Sequence, residues 1–264
     1  MPYLELPDVK LFYRIDDFTD AWTTPETVLF VHGFTETSDA WRAWVPHFSR
    51  RYRMIRIDQR GFGRSGPVAE DFPLSTELFV DDLVRIVNHV AGGPVHLVGG
   101  KSGGISVAML AATRPDLVKS ITLASSIVTP PGGEGWIEHM ERHGMRSWAR
   151  KTMRNRLGSQ LPERGIDWWV DMMGATALST AKAYLRWVGG IDIREDIKRI
   201  QCPTLVIGTH ARGKDRTALS AWQQTIPDST LAIVPIDGYH AAGTDPDATA
   251  KVTLDFLAGL ASRV

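Results

Sequence analysis

The segment Pro94-Val95-His96-Leu97-Val98-Gly99-Gly100-Lys101-Ser102-Gly103-Gly104-Ile105-Ser106-Val107-Ala108-Met109-Leu110 passes from an apolar strand pattern, through paired glycines, into an apolar helix pattern. Within it, Gly100-Lys101-Ser102-Gly103-Gly104 has the form G-x-S-x-G. Placed between a strand and a helix, that form predicts a tight turn that holds the Ser102 hydroxyl exposed above the sheet. The helix start behind it would supply free N–H groups and positive dipole to an oxyanion. A glycine-rich βα turn on phosphate is the bland alternative. The pattern Gly-x-x-x-x-Gly-Lys-Ser that it would need is not matched.

Outward from this turn, short strand-like runs alternate with helical patterns, which indicates a parallel sheet with crossover helices. Two strands are expected about Pro7-Asp8, then strands at Thr27–His32, Met54–Asp58, Pro94–Gly99, Lys119–Ala124, Pro203–Gly208 and Thr230–Pro235. Ser75 is a candidate N-cap for a helix with Leu78, Phe79, Leu83, Ile86, Val87 and Val90 on one face. A helix is expected from Gly103 to about Thr113, and a closing helix through Val252, Phe256 and Leu260. Between Ser126 and Ile200 the strand rhythm stops. That stretch holds Trp136, Trp148, Trp168, Trp169 and Trp187 and reads as a helical insertion over the sheet.

The 264 residues suit one large domain with an inserted piece. Thirty basic and thirty acidic residues give zero formal net charge. That balance removes the broad electrostatic case for nucleic acid or an anionic membrane as partner. The single cysteine, Cys202, excludes an internal disulfide and a cysteine-based zinc site, and reads as a small buried hydrophobe. No apolar run is long enough to span a bilayer, and the N-terminus lacks a signal-peptide pattern. A soluble, cytoplasmic enzyme of a small molecule is expected, with neither metal nor cofactor.

Three further motifs follow in order. His32-Gly33-Phe34 ends an early strand, so the Phe34 and Gly103 amides are the expected oxyanion hole. The His32 side chain is read as structural. Asp58-Gln59-Arg60-Gly61-Phe62-Gly63-Arg64-Ser65 is read as a brace for the loops beneath the site. His240 follows the last strand, on the carboxyl edge where Ser102 also sits, and neutral imidazole suits a base for a serine hydroxyl.

As a set, HGF, DQRGFGRS, GKSGG and a late histidine resemble the α/β-hydrolase superfamily, over residues 27–124 and 200–260. The resemblance implies an α/β fold with a mostly parallel eight-stranded sheet and helices on both faces. Residues 1–126 and 200–264 would form the core, and 127–199 would stand where the family carries a helical cap. It also implies Ser102 as nucleophile and His240 as base. A serine in place of aspartate argues against the dehalogenase and epoxide-hydrolase branches. The triad acid is less regular here. Asp215 is the expected residue and Asp237 the alternative, because Thr209-His210-Ala211-Arg212-Gly213-Lys214-Asp215 brings its first carboxylate late.

Lys101 before the serine is unusual. It either turns away to bind nearby backbone or lends charge toward an anionic substrate. Arg142, Arg146 and Arg150 recur every four residues and read as a solvated helix face, or as a rim for carboxylated substrates. Trp168 and Trp169 cannot both face one way on a helix, so one of them is a candidate pocket wall. The expected activity is hydrolysis of a small carboxylic ester or lactone through an acyl-enzyme on Ser102. Alternatives on the same fold are C–C bond hydrolysis of a ring-fission diketone, cofactor-free ring-cleaving dioxygenation, and ligand reception without turnover.

Overall fold

The computed structural model describes residues 2–211 and 216–262. One sheet joins β1 (Tyr3–Leu6), β2 (Val9–Asp16), β3 (Thr27–Val31), β4 (Arg53–Ile57), β5 (Val95–Gly100), β6 (Val118–Ala124), β7 (Thr204–Thr209) and β8 (Ser229–Val234). Their spatial order is β1-β2-β4-β3-β5-β6-β7-β8. β2 pairs antiparallel with both β1 and β4, and every later pairing is parallel. The strands fall where the apolar runs place them, with one useful difference. β5 runs on through Gly100, so the chain leaves the sheet one residue later than the sequence pattern suggests.

The helices are α1 (Val45–Phe48), α2 (Thr76–Ile86), α3 (Gly103–Thr113), α4 (Trp136–Leu157), α5 (Glu163–Gly174), α6 (Leu178–Val188), α7 (Arg216–Gln223), α8 (Ala241–Thr244) and α9 (Pro246–Ala261). Ser75 caps α2 as expected, its Oγ accepting the Leu78 N–H at 3.1 Å. β3 shows why central strands read as unbroken apolar runs. Leu29 and Val31 join the core under α2 and α3, whereas Val28 and Phe30 meet Trp41, Trp44, Phe48 and Leu257 on the other face.

α4, α5 and α6 lie between β6 and β7 in sequence, and α4 packs on both of the others. Gly144 (φ 80°) bends α4. These helices close over the carboxyl edge of the sheet. The Tyr239 and His240 amides donate to the Asn155 and Arg156 carbonyls at the end of α4, and Thr176 Oγ1 donates to the Thr35 carbonyl.

The strand order reverses at β3, whose neighbours are β4 and β5, and such a switch point opens a crevice beyond the carboxyl ends of the strands. There, three non-glycine residues hold positive φ: Thr35 (62°), Lys101 (55°) and Ser125 (51°), after β3, β5 and β6. Backbone strain is thus concentrated on one edge of the sheet.

The turn after β5 is packed to contact. A Cβ on Gly99 would sit 2.7 Å from Gly104 Cα, and one on Gly103 would sit 2.2 Å from the His32 carbonyl oxygen. Gly103→Ala should therefore lower stability by about 1–3 kcal/mol, as overpacking does. In contrast, Gly259→Ala meets nothing within 4 Å on helix α9, and should raise stability by about 0.5–1 kcal/mol. Urea unfolding of the two variants checks the opposite signs.

Candidate active site

Lys101 stands at the corner of the turn. It carries the positive φ, and its N–H still donates to the Ala124 carbonyl at 3.0 Å. Ser102 is already helical (φ −71°, ψ −15°) and serves as the first flanking residue of α3. The sequence admits both placements, because the doubled glycines frame Lys101 (Gly99 and Gly103) as well as they frame Ser102 (Gly100 and Gly104). Backbone conformation decides between them: the positive φ falls on Lys101, whereas Ser102 is already helical.

Ser102 is nonetheless at the site, buried at 6% exposure. Its Oγ accepts the Phe34 N–H at 3.1 Å and the Tyr184 hydroxyl at 2.8 Å. Tyr184 comes from α6 and stacks on Phe34, with ring centroids 5.0 Å apart. Burial pushes the Tyr184 phenol well above its usual value, so it remains a donor. The Phe34 amide is therefore where the oxyanion hole was expected, but Ser102 Oγ occupies it.

His240 faces elsewhere. Its Nε2 lies 2.8 Å from Glu36 Oε1, and its Nδ1 accepts the Gly243 N–H at 3.1 Å. This arrangement puts the ring proton on Nε2, where it is donated to Glu36. Both ring nitrogens are thereby used, and Ser102 Oγ is not among their partners in the described residues. Trp169 closes over the ring at 4.9 Å between centroids.

Glu36 is buried at 1% exposure and also accepts the Gly33 N–H at 3.1 Å. Burial raises its carboxyl pKa, but its pairing with His240 and the hydrogen bond from the Gly33 amide outweigh that and hold it at about 2. Nothing in the spacing pointed to Glu36. The signal available was a carboxylate in an otherwise apolar and small-residue loop after β3.

Asp215 lies outside the described residues. Asp237, the alternative acid, is engaged by Ser159 through its N–H (3.0 Å) and its hydroxyl (2.7 Å). Gly103 is fully enclosed beneath the loop after β3. His32 is structural: its Nδ1 lies 2.8 Å from the Gly33 carbonyl and its Nε2 accepts the Gln59 N–H at 3.0 Å. Burial depresses its pKa, in keeping with a neutral ring. The Asp58–Ser65 stretch does brace the loops, as Asp58 accepts the Ser38 and Arg64 amides at 2.6 and 2.7 Å.

A cavity of about 380 Å³ opens between the turn and α4 and α6. Lys101, Ser102, Tyr184, Lys151, Arg156 and Tyr239 supply its polar wall, and no carboxylate lines it among the described residues. A second space of about 300 Å³ adjoins it and shares Lys101 and Tyr239. Lys101 Nζ donates to the Tyr239 carbonyl at 3.3 Å and lies 3.9 Å from the centre of the Tyr239 ring. Of the two behaviours expected of Lys101, the contact to nearby backbone is present, and the side chain also lines the cavity.

Trp168 and Trp169 do not line either space. Trp168 carries Arg42 over its ring at 4.5 Å, and Trp136 is the tryptophan at the first cavity's wall. The exposed arginines of α4 are paired: Arg142 with Glu138, Arg146 with Asp171, and Arg150 with Glu163 and Asp167. That face is solvated and paired.

Arg156 is different. It is 4% exposed, sits over the Trp148 ring at 5.1 Å, and forms one weak hydrogen bond from Nε to Thr152 Oγ1 at 3.3 Å. Its Nη2 is buried with no hydrogen-bond partner, and no acid pairs with it, among the described residues. A buried guanidinium without an anion is costly, which marks a place where an anion belongs.

Residues 26–245 match the model of the alpha/beta hydrolase fold family. Among characterised relatives, the (E)-2-((N-methylformamido)methylene)succinate hydrolase of Acinetobacter baylyi is 25% identical over 194 residues, covering 69% of this chain and 71% of that one. The 2-hydroxy-6-oxo-6-(2'-aminophenyl)hexa-2,4-dienoic acid hydrolase of Metapseudomonas resinovorans is 25% identical over 260 residues, covering 88% and 84%. Among solved structures, the enol-lactonase of Burkholderia xenovorans LB400 superposes with a TM-score of 0.88 at 19% identity, over 97% of this chain and 100% of that one. No helix among the described residues is long and apolar enough to cross a membrane.

The depressed Glu36 pKa fixes a pH dependence. A carboxylate whose pKa is lower folded than unfolded adds stability above its unfolded value, and that stability is lost as pH falls toward its folded value. Wild type should therefore exceed Glu36→Gln in melting temperature at pH 7. The gap should close as pH falls from about 4.5 toward about 2. Melting curves of both proteins across that range check it.

Proposed function

The chain belongs to the alpha/beta hydrolase fold family, and on that premise we propose that it hydrolyses a small carbonyl compound bearing a carboxylate. The observation that carries this is Arg156, a buried cation without an acid, at the wall of a cavity that also holds Lys101 and Lys151 and no carboxylate among the described residues. The substrate carboxylate completes that charge. The names of two relatives, hydrolases of a succinate derivative and of an oxo-dienoic acid, are in keeping with it.

With the carboxylate at Arg156, the carbonyl lies toward Ser102. There the Phe34 N–H and the Tyr184 hydroxyl, which Ser102 Oγ accepts in the free site, are the donors that the carbonyl oxygen takes over as Oγ moves aside, together with the Ser102 hydroxyl itself. Fixed donors of this kind stabilise the negative charge that develops on a carbonyl oxygen under attack, without reorganising as water would. Tyr184 reaches the site from α6, so the helices between β6 and β7 both cover the substrate and complete its hydrogen bonding.

Ser102 acts here by hydrogen bonding, since both nitrogens of His240 are used by other partners. The acyl-enzyme route on Ser102 makes a different demand, because it needs His240 to leave Glu36 and accept the serine proton. The two roles differ in magnitude. Loss of one donor costs about 10²–10³ in rate, whereas loss of a serine nucleophile costs on the order of 10⁶.

Two outcomes are expected. With monomethyl succinate as ligand, Arg156→Leu should raise Kd by about 10–100-fold, the equivalent of one charged hydrogen bond of roughly 1.5–3 kcal/mol. It should leave dimethyl succinate, whose groups are all neutral, unaffected. Calorimetric titration reads both, and equal effects on the two esters would contradict a carboxylate site at Arg156. On the substrate that turns over best, Ser102→Ala should lower kcat by about 10²–10³. A loss on the order of 10⁶ would assign Ser102 as the nucleophile instead.

A further inference from the structure

We propose that Lys101 is the covalent centre of this site. Its Nζ adds to the ketone carbon of an oxo acid whose carboxylate is held by Arg156, and forms an imine. This rests on the carboxylate site proposed above and narrows the carbonyl compound to a ketone.

The corner of the strand-to-helix turn is the position from which a side chain projects over the carboxyl edge of the sheet, and Lys101 holds it at a cost in backbone strain (φ 55°). From there its chain lines both spaces and reaches the Tyr239 carbonyl at 3.3 Å. A neutral amine makes that hydrogen bond as well as an ammonium does. Lysine becomes nucleophilic where it is desolvated or has another cation beside it. Here Arg156 shares the Tyr239 ring with it, with Cζ 5.9 Å from the ring centre against 3.9 Å for Nζ, and Lys151 lines the same cavity.

The chemistry of the amine selects the substrate. Attack on an ester would end in a stable amide on Lys101 and stop turnover. Attack on a ketone is reversible. The C–N bond forms as the carbonyl oxygen leaves as water, which carries off both protons of the amine, and the imine nitrogen takes one proton from solvent. Ser102 and Tyr184 hydrogen-bond the departing oxygen and stay un-ionised. The protonated imine then accepts the electron pair of a C–C bond one carbon away. That bond breaks as a β-carboxylate leaves as carbon dioxide, or as a β-acyl group that has added water leaves as an acid. The resulting enamine takes a proton at carbon. Water then adds to the imine carbon, its oxygen becomes the new ketone, and Lys101 is released. No oxidant or reductant is required.

The test is reductive trapping. Protein is incubated with pyruvate, acetoacetate or levulinate (2-, 3- and 4-oxo acids) and cyanoborohydride, then read by intact mass and peptide mapping. Thermal shift with each acid is measured in parallel. One adduct at Lys101 is expected with at least one acid. It should be retained in Lys251→Met, whose lysine lies on α9 and pairs with Asp255. It should be absent in Lys101→Met and in Lys101→Gly, the latter chosen because glycine accepts the positive φ without strain. Arg156→Leu should lower the labelling about tenfold or more at fixed acid concentration. Thermal shifts that depend on Arg156, with Lys101 labelled no faster than Lys251, would overturn the imine while leaving the carboxylate site standing. Neither shift nor label with any of the three would overturn both.

Discussion

Everything at this site depends on how closely β5 and α3 approach each other. Gly99 and Gly104 leave no room for a Cβ between strand and helix, and Gly103 lies directly under the His32 carbonyl. Backbone brought that near must turn within about two residues, and the bend falls on Lys101, which takes a left-handed conformation that a long side chain ordinarily avoids. The N-terminus of α3 is then aimed at the crevice left where the strand order reverses. Glycine fixes the geometry, and the residue at the bend sets the chemistry.

The surrounding loops are held by buried polar groups rather than by apolar packing alone. Asp58 gathers the loop amides of Ser38 and Arg64, Gln59 and His32 exchange hydrogen bonds, and Glu36 ties the loop after β3 to His240 after β8. Such groups are stable in the interior only when each has its partner. Arg156, whose Nη2 has none among the described residues, is therefore informative. The paired arginines on the outer face of α4 carry the same charge, yet exposed pairs of that kind contribute little and recognise nothing by themselves.

The fold was legible in the sequence because the sheet and its helices are written in periodicity. Runs such as residues 28–31 are apolar throughout since both faces are covered, and Ser75 announces a helix by the chemistry of its cap. The turn after β5 was legible as a turn but not in its register. Four glycines in two pairs fit a bend at residue 101 or 102 equally, and only the backbone conformation, left-handed at Lys101 and helical at Ser102, separates them. His240 was found by its place after the last strand, but its partner was not. Glu36 lies 204 residues away in sequence, and no local pattern links a carboxylate after β3 to a histidine after β8. Arg156 was hidden among the basic residues of α4, where helical spacing gives a face but cannot say which single arginine is left without an acid among the described residues.

If the reactive carbonyl meets Lys101 while a carboxylate rests on Arg156, a crystal structure of the protein with levulinate will show both contacts. The carboxylate should lie within hydrogen-bonding distance of the Arg156 guanidinium and the ketone carbon at Lys101 Nζ, with His240 still on Glu36. A ketone seated on Ser102 Oγ, with His240 turned from Glu36 to the serine hydroxyl, would contradict it.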